Sequence, residues 1–226
     1  MCVALVRQVL TGRIAPLGRP DVLSGIDKYP AHAPVAVGPL GLAADEQADL
    51  AVHGGPDKAV HLYAWQHYAA WRAELPGCRA LDHVGAFGEN LSVEGIDEAG
   101  VCIADRWRIG QLVLEVSQGR QPCWKLNLRF GIADMAARVQ DSLRAGWYCR
   151  VIEPGVVAAQ DVMELIDRPH PHWSMARLLR LIKDRECGPV VLAEVLELPL
   201  TPSWRRLFSR RLERRTAEDW APRMQR

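Results

Sequence analysis

Apolar and polar residues alternate in several short stretches of the chain, as they do in half-buried β-strands. Glycine and proline separate these stretches at short intervals. Many short strands spaced in this way predict a barrel or a sandwich. The predicted strands cover residues 3–13, 35–42, 58–63, 90–93, 101–109, 111–116, 146–152 and 156–166, with a turn at Ala104-Asp105 inside the fifth.

The spacing of apolar residues becomes helical towards the end of the chain. Ser174 is placed to cap a helix over residues 174–183, and a second helix is predicted over 190–198. Thr201 is an N-cap followed by proline at the first helical position, which opens a third helix. The sequence therefore predicts a β-rich body followed by a helical tail, with further helices at 65–75 and 131–142.

Composition narrows the class of protein. The chain has 226 residues, a net charge of +1 and 49% hydrophobic residues, which suits one large domain or a domain with a small appendage. The near-zero charge gives no sign of a nucleic-acid partner. Six scattered cysteines without a CxxC pair indicate a reducing compartment. With no signal peptide and no membrane span in view, we expect a cytoplasmic protein.

One loop carries the most reactive chemistry in the sequence. The strand at 111–116 runs into glycine and proline, and the loop that follows presents Cys123 between Arg120 and Lys125. Neighbouring cations favour the thiolate, which is both a nucleophile and a metal ligand. The alternative is that Cys123 is a small buried apolar residue, as free cysteines usually are.

Two other motifs are candidates for ligand binding. The turn at His53-Gly54-Gly55-Pro56 allows close backbone approach, and its amides with Lys58 could form an anion site. Such turns also occur without any ligand. Glu89 and Asn90 stand where apolar residues are expected, so they either cap a turn or shape a pocket. The histidines at 61 and 67 lack zinc-site spacing and are expected to be packing or surface residues.

These motifs together resemble the MOSC family, named after the C-terminal domain of molybdenum cofactor sulfurase. The branch they resemble most is that of small bacterial proteins that confer resistance to 6-hydroxylaminopurine. The four motifs that carry the resemblance are Asp45-Glu46-Gln47, residues 53–59, residues 87–91 and residues 117–125. Alanine stands at 44 and 104, where relatives usually carry glycine, and these changes are expected to adjust turn geometry.

The resemblance implies a mainly β (α+β) fold. A MOSC-type β-barrel with peripheral helices is expected at residues 1–168, and a small three-helix domain at 169–226. It also implies a molybdenum cofactor, with Cys123 as the protein ligand to the metal. The family as a whole is further associated with pyridoxal phosphate binding. Relatives of this kind reduce hydroxylamino-purines and amidoximes to the parent amines.

The same resemblance assigns roles to the remaining polar residues. The pterin phosphate is expected to bind the backbone amides of a glycine-rich turn and cationic side chains. Glu89 and Asn90 are expected to hydrogen-bond the pterin edge. Asp45, Glu89 and His53 are candidate proton donors, and Trp124 or Trp147 is a candidate for stacking on a purine. The expected cofactor-binding residues are His53, Gly54, Gly55, Lys58, Glu89, Asn90, Arg120 and Cys123, and the expected catalytic residues are Cys123, Asp45 and Glu89.

Partners and rival functions follow from what the motifs lack. The sequence has neither a cluster motif nor a dinucleotide motif, so we expect electrons from a separate flavoprotein or iron–sulfur protein. We expect no membrane or nucleic-acid partner, and a homodimer is compatible with the sequence. The rivals are a sulfur carrier with a Cys123 persulfide, a thiol redox sensor, and a docking module that uses a basic face of Arg205, Arg206, Arg210, Arg211, Arg214 and Arg215.

Overall fold

The computed structural model describes residues 2–49 and 54–225. Its strands are β1 Val3–Thr11, β2 Ala15–Leu17, β3 Arg19–Ser24, β4 Tyr29–Pro30, β5 Val35–Gly38, β6 Gly41–Leu42, β7 Val60–Ala64, β8 Leu91–Glu94, β9 Arg106–Ile109, β10 Leu112–Gly119, β11 Trp147–Glu153, β12 Gly155–Val157 and β13 Val162–Asp167. Its α-helices are α1 His67–Glu74, α2 Lys125–Phe130, α3 Met135–Ser142, α4 Met175–Lys183, α5 Pro189–Leu196, α6 Pro202–Arg214 and α7 Ala221–Met224.

Seven of the strands close into a barrel. They follow one another in the order β13, β9, β10, β11, β7, β8 and β1, and β1 pairs back to β13. Every pairing in this ring is antiparallel except the parallel pair β7–β8. Both β10 and β7 are buried along their whole length, so other elements cover these two strands. The predicted mainly β fold with a closed barrel and helices is confirmed.

Aromatic side chains fill the end of the barrel next to α1. The ring of Tyr63 stacks on that of Phe87 with centroids 4.4 Å apart, and the indole N–H of Trp71 donates to the Tyr63 hydroxyl at 2.6 Å. All three side chains are at most 1% exposed. Stacked and edge-on rings of this kind hold the α1 segment on the barrel.

The helical tail begins and ends close to the predicted positions. Ser174 caps α4 by accepting from the Arg177 amide, and Thr201 caps α6 by accepting from the Trp204 amide. The short α7 adds a helix to the three that were predicted. Apolar residues of the tail join the same buried cluster as the barrel. The division at residue 168 stays a prediction.

Gly119 explains how closely the tail packs on the barrel. A Cβ atom at this position would lie 2.8 Å from the side chain of Leu179 in α4. A side chain at position 119 would clash with Leu179. Glycine at the end of β10 therefore lets α4 pack closely on the backbone of this strand.

The alanines at 44 and 104 both adopt left-handed backbone conformations, with φ of 65° and 60°. Residues other than glycine seldom populate this region. The turn predicted at Ala104-Asp105 is present, and the buried Asp105 carboxylate accepts the Cys102 amide at 2.9 Å. Because of this turn the strand begins at Arg106, so residues 101–103 were wrongly predicted as strand.

Other differences from the predicted elements lie on either side of the barrel. The β2–β3 hairpin and the helix α2 directly after the cysteine loop were not predicted. Arg211 was predicted on a basic face of the third tail helix but is 1% exposed, so its inclusion in a face open to partners is wrong. Among residues 2–49 and 54–225, no helix has both the length and the apolar character needed to cross a membrane.

Candidate functional site

The strand register brings the sequence motifs to one end of the barrel. Gly119 at the end of β10 pairs with Trp147, which pairs with Leu62 in β7, and Leu62 pairs with Leu91 in β8. Segments far apart in sequence therefore meet at one level. Within the described residues they enclose a cavity of about 90 Å³ lined by Ser24, Gly25, Ile26, Lys28, Glu46, Gln47, Ala48, Asp49, Lys58, His61, Phe87, Gly88, Asn90, Arg120, Cys123, Lys125 and Tyr148.

A larger cleft of about 450 Å³, called the outer cleft below, adjoins this inner cavity. The two share Asp49, Lys58, Cys123, Lys125 and Tyr148. Cys123 therefore lies at the boundary between a narrow polar space and a wider one. The rest of the outer cleft is lined by Gln118, Gln121, Trp124, Pro222 and Arg223.

Four cationic residues line the inner cavity, namely Arg120, Lys28, Lys58 and Lys125. Arg120 is 6% exposed, and its Nη1 has no hydrogen-bond partner among the described residues. Lys28 is 5% exposed, and burial lowers the pKa of its ammonium group although Asp45 opposes this shift. Burial also lowers the pKa of Lys58. A buried guanidinium with an unused donor is costly alone, and it is the expected partner of an anionic group.

His61 lies in the same cavity as a neutral imidazole. The side chain is 3% exposed, and burial, with the nearby Arg120 charge, lowers its pKa to about 3. Its Nε2 has no hydrogen-bond partner within the described part of the chain. The ring lies 4.9 Å from that of Tyr148, whose pKa is raised by burial.

Asp45 lies behind the cavity wall. One carboxylate oxygen accepts the Gly12 amide at 2.8 Å and the Lys28 ammonium. The other accepts the side-chain amide of Asn90 at 2.9 Å, and Asn90 in turn accepts the His61 amide at 3.0 Å. Asp45 therefore neutralises Lys28 and orients Asn90, and it does not line the cavity itself.

The Glu89 carboxylate binds groups of its own turn. Its carboxylate is fully buried and accepts hydrogen bonds from the Tyr68 hydroxyl and from the amides of Gly85 and Phe87. Both oxygens are thus used to hold residues 85–89 in shape. The carboxylate is not part of either cavity wall, so its contacts are those of a turn-capping residue, the first of the two alternatives that the sequence left open.

The structure brings together four of the predicted site residues, namely Lys58, Asn90, Arg120 and Cys123. Gly54 and Gly55 are outside the cavity walls, but the Lys58 amide donates to the Gly55 carbonyl at 3.0 Å. The turn therefore places Lys58. His53 lies outside the described residues. Trp124 lines the outer cleft, whereas Trp147 is 0% exposed and is wrong as a stacking candidate.

Sequence reasoning missed several residues of the cavity, among them Lys28, His61 and Tyr148. Lys28 lies in a polar stretch of the sequence, and its buried position depends on Asp45, which is 17 residues away. His61 was expected to be a packing or surface histidine. The only available signal was a histidine in an otherwise apolar strand. Because β7 is buried at all its positions, the alternation of apolar and polar residues did not indicate on which face of the strand His61 lies.

The fold and the site define a class: a closed β-barrel with one cysteine and several buried cations at the same end. The MOSC domain family model matches residues 49–164, which include Lys58, Arg120 and Cys123. The chain belongs to the MOSC domain family.

Two relatives resemble the chain over most of its length. Protein YiiM of Escherichia coli is 43% identical over 162 residues, which are 71% of each chain. The crystal structure of YiiM from Escherichia coli superimposes with a TM-score of 0.82 at 29% identity and covers 99% of both chains. A protein of Gibberella moniliformis named reductase is 40% identical over 86% of this chain, but the match spans only 35% of that protein's length.

Proposed function

We propose that the chain is a molybdenum-cofactor-dependent reductase that converts N-hydroxylated compounds such as hydroxylamino-purines and amidoximes to amines. Family membership and the name of the Gibberella relative support an oxidoreductase. The observation that carries the finer proposal is the unpartnered Nη1 of Arg120, which shares one cavity with the Cys123 thiol. An anion-binding group and a soft metal ligand therefore lie in a single site.

The residues present fit a pterin cofactor that carries a phosphate and a metal. Arg120, Lys28 and Lys58 supply positive charge for the phosphate, and all three are partly or fully removed from water. Cys123 supplies the thiolate that suits a soft, redox-active metal. When bound, the cofactor supplies the two electrons that reduce the N–O bond.

The chain's own residues bind, orient and supply protons. The overall change takes two electrons and two protons and yields the amine and water. Lys58 is the best-placed proton donor, because it lines both cavities and burial lowers its pKa towards neutrality. Asp45 and Glu89 act at a distance, through Lys28 and through the turn at 85–89.

The substrate is proposed to enter by the outer cleft. This space is larger than the inner cavity and has Trp124 in its wall, which suits a planar base. Electrons are proposed to come from a separate flavoprotein or iron–sulfur protein.

Elemental and pterin analysis tests the cofactor assignment. The parent protein, Cys123→Ser, Arg120→Ala and the control Cys187→Ser are purified from a host that makes molybdenum cofactor. We expect about one molybdenum and one pterin in the parent and in the control. Loss of the metal is expected for Cys123→Ser, and loss of both groups for Arg120→Ala. A parent free of both groups would refute the proposal.

Reductase assays with a flavoprotein donor then test the reaction. We expect turnover of N-hydroxylated purines and amidoximes by the loaded parent, and at least a hundredfold lower kcat for Cys123→Ser. Lys58→Met should lower kcat more at high pH than at low pH, where solvent protons compensate. A Cys123 persulfide found by mass spectrometry in protein without molybdenum would instead favour the sulfur-carrier alternative.

A further inference from the structure

The last residues of the chain close onto the loop that carries Cys123. The Trp124 amide donates to the Arg223 carbonyl at 2.8 Å, and the Asn127 side chain donates to the Met224 carbonyl at 2.9 Å. These bonds join residues about a hundred positions apart. The C-terminal segment, residues 218–225, therefore forms one side of the cysteine loop.

The guanidinium of Arg223 reinforces this contact. Its Nη1 donates to the carbonyl of Pro122, the residue immediately before the cysteine, and its Nη2 donates to Gln140 Oε1 at 2.6 Å. One planar group thus ties the loop to α3. Arg223 also lines the outer cleft, so the same residue supports the loop and faces the space beside Cys123.

The C-terminal segment is itself anchored on the helical tail. The buried Arg211 binds both oxygens of Glu218 at 2.8 and 2.9 Å, and the Trp220 indole donates to Glu218 at 2.8 Å. Arg211 also donates to the carbonyls of Leu181 and Ile182 near the end of α4. The Arg223 amide donates to the Trp220 carbonyl at 2.9 Å, so a chain of hydrogen bonds runs from the helices to Arg223.

We propose that Arg223 is a positioning residue for Cys123 and that the C-terminal segment is part of the functional site. The family model ends at residue 164, so this part of the site lies outside the region that defines the family. The effect on the metal rests on the proposed function. The effect on the loop does not depend on it.

Hydrogen exchange of the full-length protein without cofactor tests the loop directly. Amides of residues 123–128 should exchange about tenfold faster in Arg223→Ala than in the parent. Arg223→Lys should recover at least half of the difference, because an ammonium can still donate to Pro122. The matched control is Arg206→Ala, which removes an exposed cation from α6 and should leave exchange unchanged.

A double substitution separates this role from general loosening of the tail. Gln140→Leu removes only the acceptor of Nη2 and should raise exchange by about threefold. In the double variant Arg223→Ala with Gln140→Leu, the amides of residues 123–128 should exchange no faster than in Arg223→Ala alone. The reason is that both substitutions remove the same hydrogen bond between Arg223 and Gln140. The proposal would be overturned if the two substitutions accelerated amide exchange independently in the double variant. It would also be overturned if Arg223→Ala exchanged at the parental rate.

Loss of molybdenum from loaded protein is the second readout. After gel filtration, Arg223→Ala should lose metal about tenfold faster than the parent, with partial recovery in Arg223→Lys. Metal retained at the parental rate in Arg223→Ala would overturn the positioning role. A parent that holds no molybdenum would refute the proposed function instead, and the exchange experiment would still decide the role of Arg223.

Discussion

Mild acid should destabilise this protein through one buried imidazole. His61 is held neutral in the inner cavity because burial and Arg120 lower its pKa from 6.5 to about 3. An unfolded chain binds a proton on this histidine near pH 6.5, whereas the folded chain does not. Unfolding therefore takes up a proton between pH 6.5 and 3, and stability falls as the pH is lowered through that window.

The size of the effect follows from these two pKa values. Each pH unit below 6.5 costs up to about 1.4 kcal/mol of unfolding free energy. Integrated from pH 7 to pH 5, the contribution of His61 is roughly 2 kcal/mol. This is a large share of the stability of a typical domain, about 5–15 kcal/mol.

Urea unfolding of cofactor-free protein at pH 5, 6, 7 and 8 measures this contribution. The parent is compared with His61→Gln, which fills a similar space and does not titrate. The two proteins share every other ionisable group, so the difference of their unfolding free energies should change by roughly 2 kcal/mol between pH 7 and pH 5. A parallel pH dependence in the two proteins would show that the imidazole is not held neutral by its surroundings.

The remaining predictions concern buried charges and backbone strain. Asp45→Ala leaves the Lys28 ammonium buried and unpaired, so it should lower the unfolding free energy by about 3 kcal/mol, and Lys28→Met in the same protein should restore much of it. Arg211→Ala should cost about 3 kcal/mol or more in urea unfolding, whereas the exposed Arg210→Ala should change it by less than about 0.5 kcal/mol. Ala104→Gly should raise the melting temperature, because glycine relieves a φ of 60°; an unchanged or lower value would mean that the turn tolerates alanine without strain.

The sequence alone supported the fold because its periodicities are local. Alternation marked the strand that became β10, and cap residues at Ser174 and Thr201 marked the starts of α4 and α6. These signals depend on neighbours within a few residues, so they can be read without knowing the tertiary contacts. The same reasoning failed at residues 101–103, which were predicted as strand but lie before the turn that the Asp105 carboxylate holds.

The candidate site was only partly accessible in this way. Motif residues such as Arg120 and Cys123 stood out by their chemistry, and the structure brings both into one cavity. Glu89 stood out for the same reason, yet its carboxylate binds the turn at 85–89 and faces away from the cavity. A polar residue in an apolar run signals a buried hydrogen-bonding need, and the sequence does not say whether a ligand or the backbone meets it.

The sequence by itself determined which segments form strands and which form helices. It also determined the cysteine loop and the resemblance to the family. Only the tertiary structure decided that Lys28 and His61 face the cavity and that Arg223 supports the loop of Cys123. The physical reason is that strand register and helix packing set these contacts between residues up to about a hundred positions apart. Local periodicity carries no information about which distant groups share one buried space.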